Sequence, residues 1–331
     1  MADTTSDLSR HLLCPTPEEV RDTRVLFHTQ HATKLTPEEP LLYGYPILEA
    51  LQNLGLRVTP ASDPETLFGA LDFDYVYLTQ LESTFSGHEL LVPNIAAFRG
   101  IPFLGPPAPV RALSEDKLLG KALAASLGIG VARHRLVDPR QPGISNLYPP
   151  GRWVLKPRSG VMSEHIGFVD DAASWRKAVG QAAHRMHAKR EFIAEEFVPG
   201  LNLAVPVIEG FPPRAFPTFV EHGERRNNIL TKSGKEGLTD DYASEPYEGP
   251  GAAEAQAAAA KLAAAIAPFD YARFDFRFEP VSNRLVFLEV NMNCAMGPLA
   301  VVALAAAERG IDHAALVGHV FTHSLRRQRK G

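Results

Sequence analysis

The stretch Asn283–Pro298 reads NRLVFLEVNMNCAMGP. Side chains alternate between the two faces of a strand, so Leu285, Phe287, Glu289 and Asn291 are expected on one face. An apolar face that ends in a carboxylate and an amide wants a chemical reason. Just upstream, YARFDFRF (271–278) reads as a partner strand, and the intervening EPVSN is a turn-forming stretch. If Phe278 pairs with Arg284, Asp275 lies opposite Phe287 and Arg273 opposite Glu289. In that register Arg273, Asp275 and Arg277 share a face with Phe287, Glu289 and Asn291, while Phe274, Phe276 and Phe278 look the other way. Asp275 and Glu289 become diagonal neighbours, about 7 to 8 Å apart at most.

Two carboxylates held that close repel unless a cation lies between them, and Asn291 adds a third hard oxygen. Such a set suits Mg²⁺, usually completed by substrate phosphates. Arg273 beside it supplies positive charge for a phosphate or a developing oxyanion. The competing reading is a surface hairpin with an Arg273–Glu289 cross-strand ion pair and Asn291 as a turn residue. The rest of the chain decides between them.

With 331 residues there is room for two or three compact lobes. A composition of 45% hydrophobic and 22% charged residues is that of a soluble globular protein. The formal net charge of -4 supplies no positive field for nucleic acid or an anionic membrane, which leaves small-molecule partners. Two cysteines, Cys14 and Cys294, and the absence of a leader pattern in MADTTSDLSRHLL indicate a cytoplasmic protein with free thiols. No apolar run approaches bilayer-spanning length. There is no phosphate-binding G-x-x-x-x-G-K-[ST] loop, and LGIGVA lacks the third glycine of a dinucleotide fingerprint. HRMH (184–187) reads as a solvated helix, and the basic tail LRRQRKG as a frayed end.

Residues 1–22 are polar and read as a loosely held arm. RVLFHTQ (24–30) and DYVYLTQ (74–80) are strands, YPILEALQNLGL (45–56) and ELLVPNIAAFRG (89–100) helices, and IPFLGP (101–106) a short strand, together a small parallel α/β lobe over 23–112. At SEDKLLGKALAASLGIG a helix begins, with Ser114 as N-cap and Gly128 at its end. It opens a central α+β lobe (113–199) with strands in RWVLKPRSG (152–160), IGFVDD (166–171) and EFIAEEFVPG (191–200) and a helix from Ala172 to about Ala188. A C-terminal α+β lobe (200–331) holds strands LNLAVPVIEG and FPTFVEHG, the metal hairpin, and a polar stretch, 225–251, too long for an ordinary connector and so a candidate lid. In AAEAQAAAAKLAAAIA (252–267) eleven of sixteen residues are Ala, which makes it a strong helix former rather than low complexity.

These pieces carry a resemblance. SEDKLLGKALAASLGIG, VLKPRSGVMSEHIGFV, EEFVPGLNLAV and RFDFRF with FLEVNMNCAMG, in that order, resemble the Asp-Lys helix, lysine strand and phosphate loop, adenine hinge and metal strands of ATP-grasp ligases, closest to the D-alanine:D-alanine ligase group. The resemblance implies an ATP-grasp fold. It implies that Lys117 and Lys156 contact the nucleotide phosphates, that Glu195, Glu196, Phe197 and Val198 form the adenine hinge with Asn202 toward the ribose, and that Lys232 is a further phosphate lysine. It places Gly160, Ser159 and the catalytic-loop Ser163 over the nucleotide, Asp275, Glu289 and Asn291 on Mg²⁺ (or Mn²⁺ in its place), and Arg273 on the oxyanion. Arg273, Met296 and Gly297 would meet the substrate.

The pattern also departs from the family. No Glu-His segment follows the first strand, where RVLFHTQHATKLTPEEP offers only His28 and His31. TQLESTFSGHELL replaces a second glycine-rich acidic segment, and Glu82, Ser83, His88 and Glu89 there read as polar loop residues or pocket lining. Asn202 stands where the hinge carries a carboxylate, Ser233 where Tyr is common, and NCAMGP where a Pro-Gly turn follows the metal strand. The expectation is a cytoplasmic, ADP-forming carboxylate–amine ligase working through an acylphosphate, on amino-acid-type substrates and outside cell-wall synthesis; a homodimer would suit the family. The alternatives are the same fold with a non-amine acceptor, or a nucleotide-binding regulator without turnover.

Overall fold

A computed structural model of the chain describes residues 8–29, 32–37, 44–69, 72–79, 88–159, 167–185, 191–223 and 243–329. Three sheets organise it. Strands β1 (Arg24–His28), β2 (Arg57–Ala61) and β3 (Tyr75–Leu78) form a parallel sheet in the order β2-β1-β3. The strand β2 escaped the sequence reading because RVTPA carries a proline, which an edge strand tolerates. IPFLGP contributes only a single parallel bridge, Phe103 to Val76, rather than a strand.

Like most parallel sheets it is buried on both faces. Leu26, Val76 and Leu78 pack against Val92, Ile95 and Ala96 of helix α3 (Leu91–Phe98), which follows α1 (Pro17–Arg21) and α2 (Tyr45–Asn53). The opposite face, Val25, Phe27, Tyr75 and Tyr77, is covered from the far end of the chain by Val302, Leu316, Val320 and Phe321.

Residues 8–22 are firmly held, in contrast to the loose arm expected. Leu8 is buried, and Thr16 and Glu19 form a reciprocal capping box at α1. The Leu13 amide donates to His319 Nδ1 (3.1 Å), and Arg326 donates to both Glu19 carboxylate oxygens (2.8 and 2.9 Å). The basic tail is therefore helical to Arg329, whose guanidinium donates to Thr23 Oγ1. Its hydrogen bonds to Arg326 hold the Glu19 carboxyl down at about 2. A depressed carboxylate pKa stabilises the fold above the ordinary 4.5 and loses that contribution as pH falls through 2. Glu19→Gln is thus expected to melt below wild type at pH 7 in calorimetry, with the gap narrowing as pH drops from 4.5 toward 2.

The second sheet is antiparallel, ordered β4-β7-β5-β6 from β4 (His134–Val137), β5 (Trp153–Pro157), β6 (Gly167–Val169) and β7 (Phe192–Glu196). Helix α6 (Ala172–Arg185) covers one face with Trp175, Val179 and Ala182. The third, also antiparallel, runs β10-β9-β8-β11-β12 through β8 (Leu201–Ile208), β9 (Phe219–His222), β10 (Ala243–Pro246), β11 (Tyr271–Glu279) and β12 (Arg284–Met292). The Ala-rich helix α7 (Ala252–Ile266) packs Ala255, Ala259 and Leu262 onto it. Helices α8 (Val301–Ala307) and α9 (His313–Arg329) complete the chain. One parallel and two antiparallel sheets give the mixed α/β and α+β architecture in three lobes that the sequence implies. None of the described helices is long and apolar enough to cross a membrane.

Two local corrections bear on the site. The helix expected from Ser114 is two helices, α4 (Ala108–Glu115) and α5 (Lys117–Ser126). Asp116, extended between them, is the N-cap, accepting from the Leu118 and Leu119 amides. Ser114 instead bonds back to the Arg111 carbonyl inside α4. Second, the β11–β12 register is not the regular one. Phe278 pairs with Leu285 and Phe276 with Phe287, then the ladder shifts at Asp275/Phe276, and Asp275 faces Glu289 directly while Arg273 faces Asn291. Leu288 is the extra residue of a β-bulge.

The bulge answers the puzzle in NRLVFLEVN. Leu285, Phe287, Val290 and Met292 all enter the apolar core beside Phe274, Phe276 and Phe278. Phe287 therefore does not share a face with Glu289 and Asn291. One inserted residue changes which parity points inward, so the core-facing side stays apolar on both sides of the bulge.

Candidate active site

The acidic half of the site is the β11–β12 pair. Arg273 grips Asp275 through two parallel hydrogen bonds, Nε to Oδ1 and Nη2 to Oδ2, both 2.8 Å, a charge-assisted fork. Asn291 Nδ2 donates to Asp275 Oδ2 at 2.8 Å. Burial pushes the Asp275 carboxyl up to about 6 against the pull of Arg273, and the nearby Glu221 and Glu289 push the same way. Glu289 points to the other side of the site, 3.5 Å from Lys117 Nζ. The Arg273–Glu289 ion pair of the surface-hairpin reading is thus replaced by Arg273–Asp275 and Lys117–Glu289.

The basic half comes from α5, β5 and β7. Asp116 caps α5 while Arg158 clamps its carboxylate (2.6 to 3.0 Å), and the Lys117 amide donates to the Arg158 carbonyl. The helix start is thereby tied to the lysine strand. Lys156, from β5, and Lys121, one turn beyond Lys117, each lie 2.9 Å from Glu195 Oε2. Burial opposes charge on all three groups. It brings Lys121 down to about 8 despite Glu195, whereas Glu195, desolvated but flanked by two ammonium groups, stays below the usual carboxylate range. At 3% exposure Glu195 is committed to the lysines.

Beyond β7, Glu196 is held by Arg133 (3.2 and 3.3 Å) and Arg284 (3.3 Å). The Phe197 ring lies between the guanidinium groups of Arg152 (4.7 Å) and Arg277 (5.1 Å) and edge-on to Phe168. Val198 is buried with Ala132 and Val286, and its carbonyl accepts from Arg277 Nε at 2.9 Å. Arg277 also donates to Asn202 Oδ1 (2.7 Å), and Asn202 Nδ2 donates to the Glu221 carbonyl. Asn202 is therefore tied to the buried side of the hinge.

Past the metal strand, Met296 is buried and its carbonyl lies 2.8 Å from His313 Nε2, while the Gly297 carbonyl accepts from the Ala300 amide. Asn293, with φ 48°, donates to the Leu104 carbonyl, and its side chain occupies the space a Cβ on Gly105 (φ +107°) would need, 2.6 Å away. That contact locks the end of the hairpin to the first lobe. His28 is fully buried on the Leu26 side of the parallel sheet, and desolvation lowers its pKa to about 4. Glu89 is buried against Arg111, which also donates to the Met292 carbonyl. His88 opens a single helical turn. Ser163, Gly160, Lys232, Ser233, His31, Glu82, Ser83 and most of the 225–251 stretch lie outside the described residues.

Among the residues of this assembly that went unassigned in the sequence are Lys121 and Glu221. Lys121 carried a usable signal, its i+4 spacing from Lys117 on one helix face. Glu221 carried none, since only the fold brings it near Arg273.

Two carboxylates and an amide oxygen, hard donors with no sulfur or imidazole among them, are a fitting set for Mg²⁺. Lysines across the cleft match a polyphosphate. Among the described residues a second cluster, Glu209, Asp270 and His323, has ligand atoms within 4.8 Å of one another. There Arg327 already occupies both Asp270 oxygens, at 3.1 and 3.0 Å.

No protein-family model matches the chain. It is 27% identical over 281 residues to the D-alanine–D-alanine ligase of Acidiphilium cryptum (strain JF-5), covering 82% of this chain and 85% of that one. It is 28% identical over 286 residues to that of Caulobacter sp. (strain K31), covering 85% and 87%. In three dimensions it is similar to the Bacillus anthracis D-alanine–D-alanine ligase crystallised with ATP, with a TM-score of 0.70, 17% identity, and 93% and 99% of the two chains covered. The Coxiella burnetii enzyme matches with a TM-score of 0.67, 13% identity and 93% and 97% coverage. The fold is the ATP-grasp fold.

Proposed function

We propose that this chain, an ATP-grasp protein related in sequence to D-alanine–D-alanine ligases, is an ATP-dependent, ADP-forming ligase that joins amino acids through an amide bond. The observation that carries the proposal is the closed electrostatic circuit across the cleft: Lys117 against Glu289 at 3.5 Å on one side, Arg273 forked onto Asp275 on the other. Charges so arranged are neutral without ligand and regroup when a metal and phosphates enter between them. Retention of both halves argues against a regulator without turnover.

In this reading Lys117 and Lys156 take the nucleotide phosphates, with Lys232 as a further phosphate lysine and Ser163 as a catalytic residue, as the resemblance implies. Glu196, Phe197 and Val198 frame the base from the hinge, Glu195 holds Lys156 and Asn202 steadies the hinge from behind. Asp275, Glu289 and Asn291 hold Mg²⁺, which when bound neutralises charge on the transferring phosphoryl group. The substrate carboxylate attacks the γ-phosphorus, ADP leaves, and the acylphosphate then loses phosphate to the attacking amine. Arg273 stabilises the oxyanion of that second step, and Met296 and Gly297 bound the substrate. The protein's work is positioning, charge and exclusion of water.

The substrate pair is other than two D-alanines. The first strand ends in His28, which is fully buried, and no Glu-His segment follows it. We assign the enzyme to the cytoplasm, acting on small molecules without nucleic acid, which the net charge and two free thiols support; a homodimer would suit the family. The test is ADP release with Mg²⁺ and ATP across amino acids offered singly and in pairs. ADP formed only with particular pairs, with equal condensed product, is expected. Turnover on D-alanine alone would overturn the substrate assignment, and no ADP with any pair would overturn the ligase.

A further inference from the structure

We infer that Lys121 is a positioning residue that aims the metal-binding strand. The inference rests on the reading of Asp275, Glu289 and Asn291 as the metal set. Lys121 shares a face of α5 with Lys117, but its side chain is fully buried. Its ammonium makes three contacts: Glu195 Oε2 at 2.9 Å, and the carbonyls of Phe287 and Leu288, each at 3.2 Å.

Those two carbonyls belong to the bulge. Where one strand carries an extra residue the ladder is broken, and a backbone carbonyl left buried without a donor is costly. The ammonium supplies that donor at Leu288, the residue immediately before Glu289. The strand is held from its outer edge as well: the Phe287 amide donates to the Gly130 carbonyl at 2.8 Å, and Gly130 approaches so closely that a Cβ there would lie 2.5 Å from the Leu285 carbonyl. The bulge is thus clamped on both sides of Phe287, and the direction in which Glu289 leaves the strand is set by Lys121.

The same ammonium shares Glu195 with Lys156. One buried cation therefore joins the metal strand to a phosphate lysine. If only filling the space mattered, a methionine would avoid the desolvation of a charge.

The test is calorimetric binding of ATP to the full-length protein, at increasing Mg²⁺ and in EDTA, for wild type, Lys121→Met, Glu289→Gln and the double variant. Lys121→Met is expected to raise the Mg²⁺ concentration for half-maximal ATP binding by about tenfold or more, the scale of losing a group that orients a metal ligand. In the Glu289→Gln background the same change should shift it less than about twofold, because the ligand it aims is already gone. Lys121→Gln, which keeps a donor near the carbonyls, should fall between wild type and Lys121→Met and serves if the methionine variant fails to fold. A lowered melting temperature with unchanged Mg²⁺ dependence in either variant would make Lys121 a packing residue and overturn the inference alone. Failure of wild type to bind ATP with Mg²⁺ would overturn the functional reading along with it.

Discussion

Glu289→Gln is expected to lower Mg²⁺-dependent ADP release by roughly a thousandfold, about 4 kcal/mol of transition-state stabilisation, while its melting temperature stays at or above wild type. Both halves follow from where the carboxylate sits. It stands directly across the ladder from Asp275 and raises the cost of ionising it, so its removal relieves repulsion. What is lost is a 3.5 Å pair with Lys117 at a partly exposed site and a longer-range attraction to Lys121 and Lys156, a small loss beside that relief. Asp275→Asn provides the contrast. Asp275 takes both hydrogen bonds of the Arg273 fork and the Asn291 amide, so its neutralisation leaves a buried guanidinium with Glu221 as its remaining nearby carboxylate among the described residues and should cost about 3 kcal/mol of stability in urea unfolding. Two neighbouring carboxylates, equal in activity loss and opposite in stability, would separate metal binding from structural support. Full activity of Glu289→Gln would refute the metal assignment.

Glu195→Gln is expected to have the larger effect on the fold, about 3 to 5 kcal/mol, because it strips the shared anion from two buried ammonium groups at once. Lys121, already brought down to about 8 by desolvation, should respond by giving up its proton. The variant should then be more stable above pH 8 than at pH 6 relative to wild type, as a buried charge that no longer has a partner is removed. Urea unfolding at the two pH values measures this. An equal loss at both would show that the lysine remains charged. If Glu195 served only to read the base from the hinge, stability would be unaffected and ATP affinity alone would fall.

Much of this site could be read directly from residues. Alternation and spacing group Arg273, Asp275, Glu289 and Asn291, with a surface hairpin as the competing reading, whereas Lys117 and Lys156 come from the resemblance to ATP-grasp ligases. The hairpin grouping survives although the register used to derive it does not. A bulge adds one residue without any change in composition, so nothing in LVFLEVN marks Leu288 as the extra one. The break at Asp116 was hidden for a similar reason, since Ser114 and Asp116 are both good caps and only the fork to Arg158 favours the second. Partners of Arg273 and Lys121 that come from other strands, Glu221 and the bulge carbonyls, are products of topology and have no local trace.

The parallel sheet has a bearing on how the molecule is made. Its inner face, Val25, Phe27, Tyr75 and Tyr77, is synthesised long before Val302, Leu316, Val320 and Phe321, which pack on it together with Ile47, Leu48 and Leu51. Glu19 and Thr23 wait for arginines 307 and 306 positions later. At ordinary elongation rates of about 5 to 20 residues per second, that delay is on the order of tens of seconds. Through that interval an apolar face stands only partly covered on the nascent chain, the kind of surface that chaperones bind. The lobe that carries the parallel sheet is thus completed only once α9 has been made.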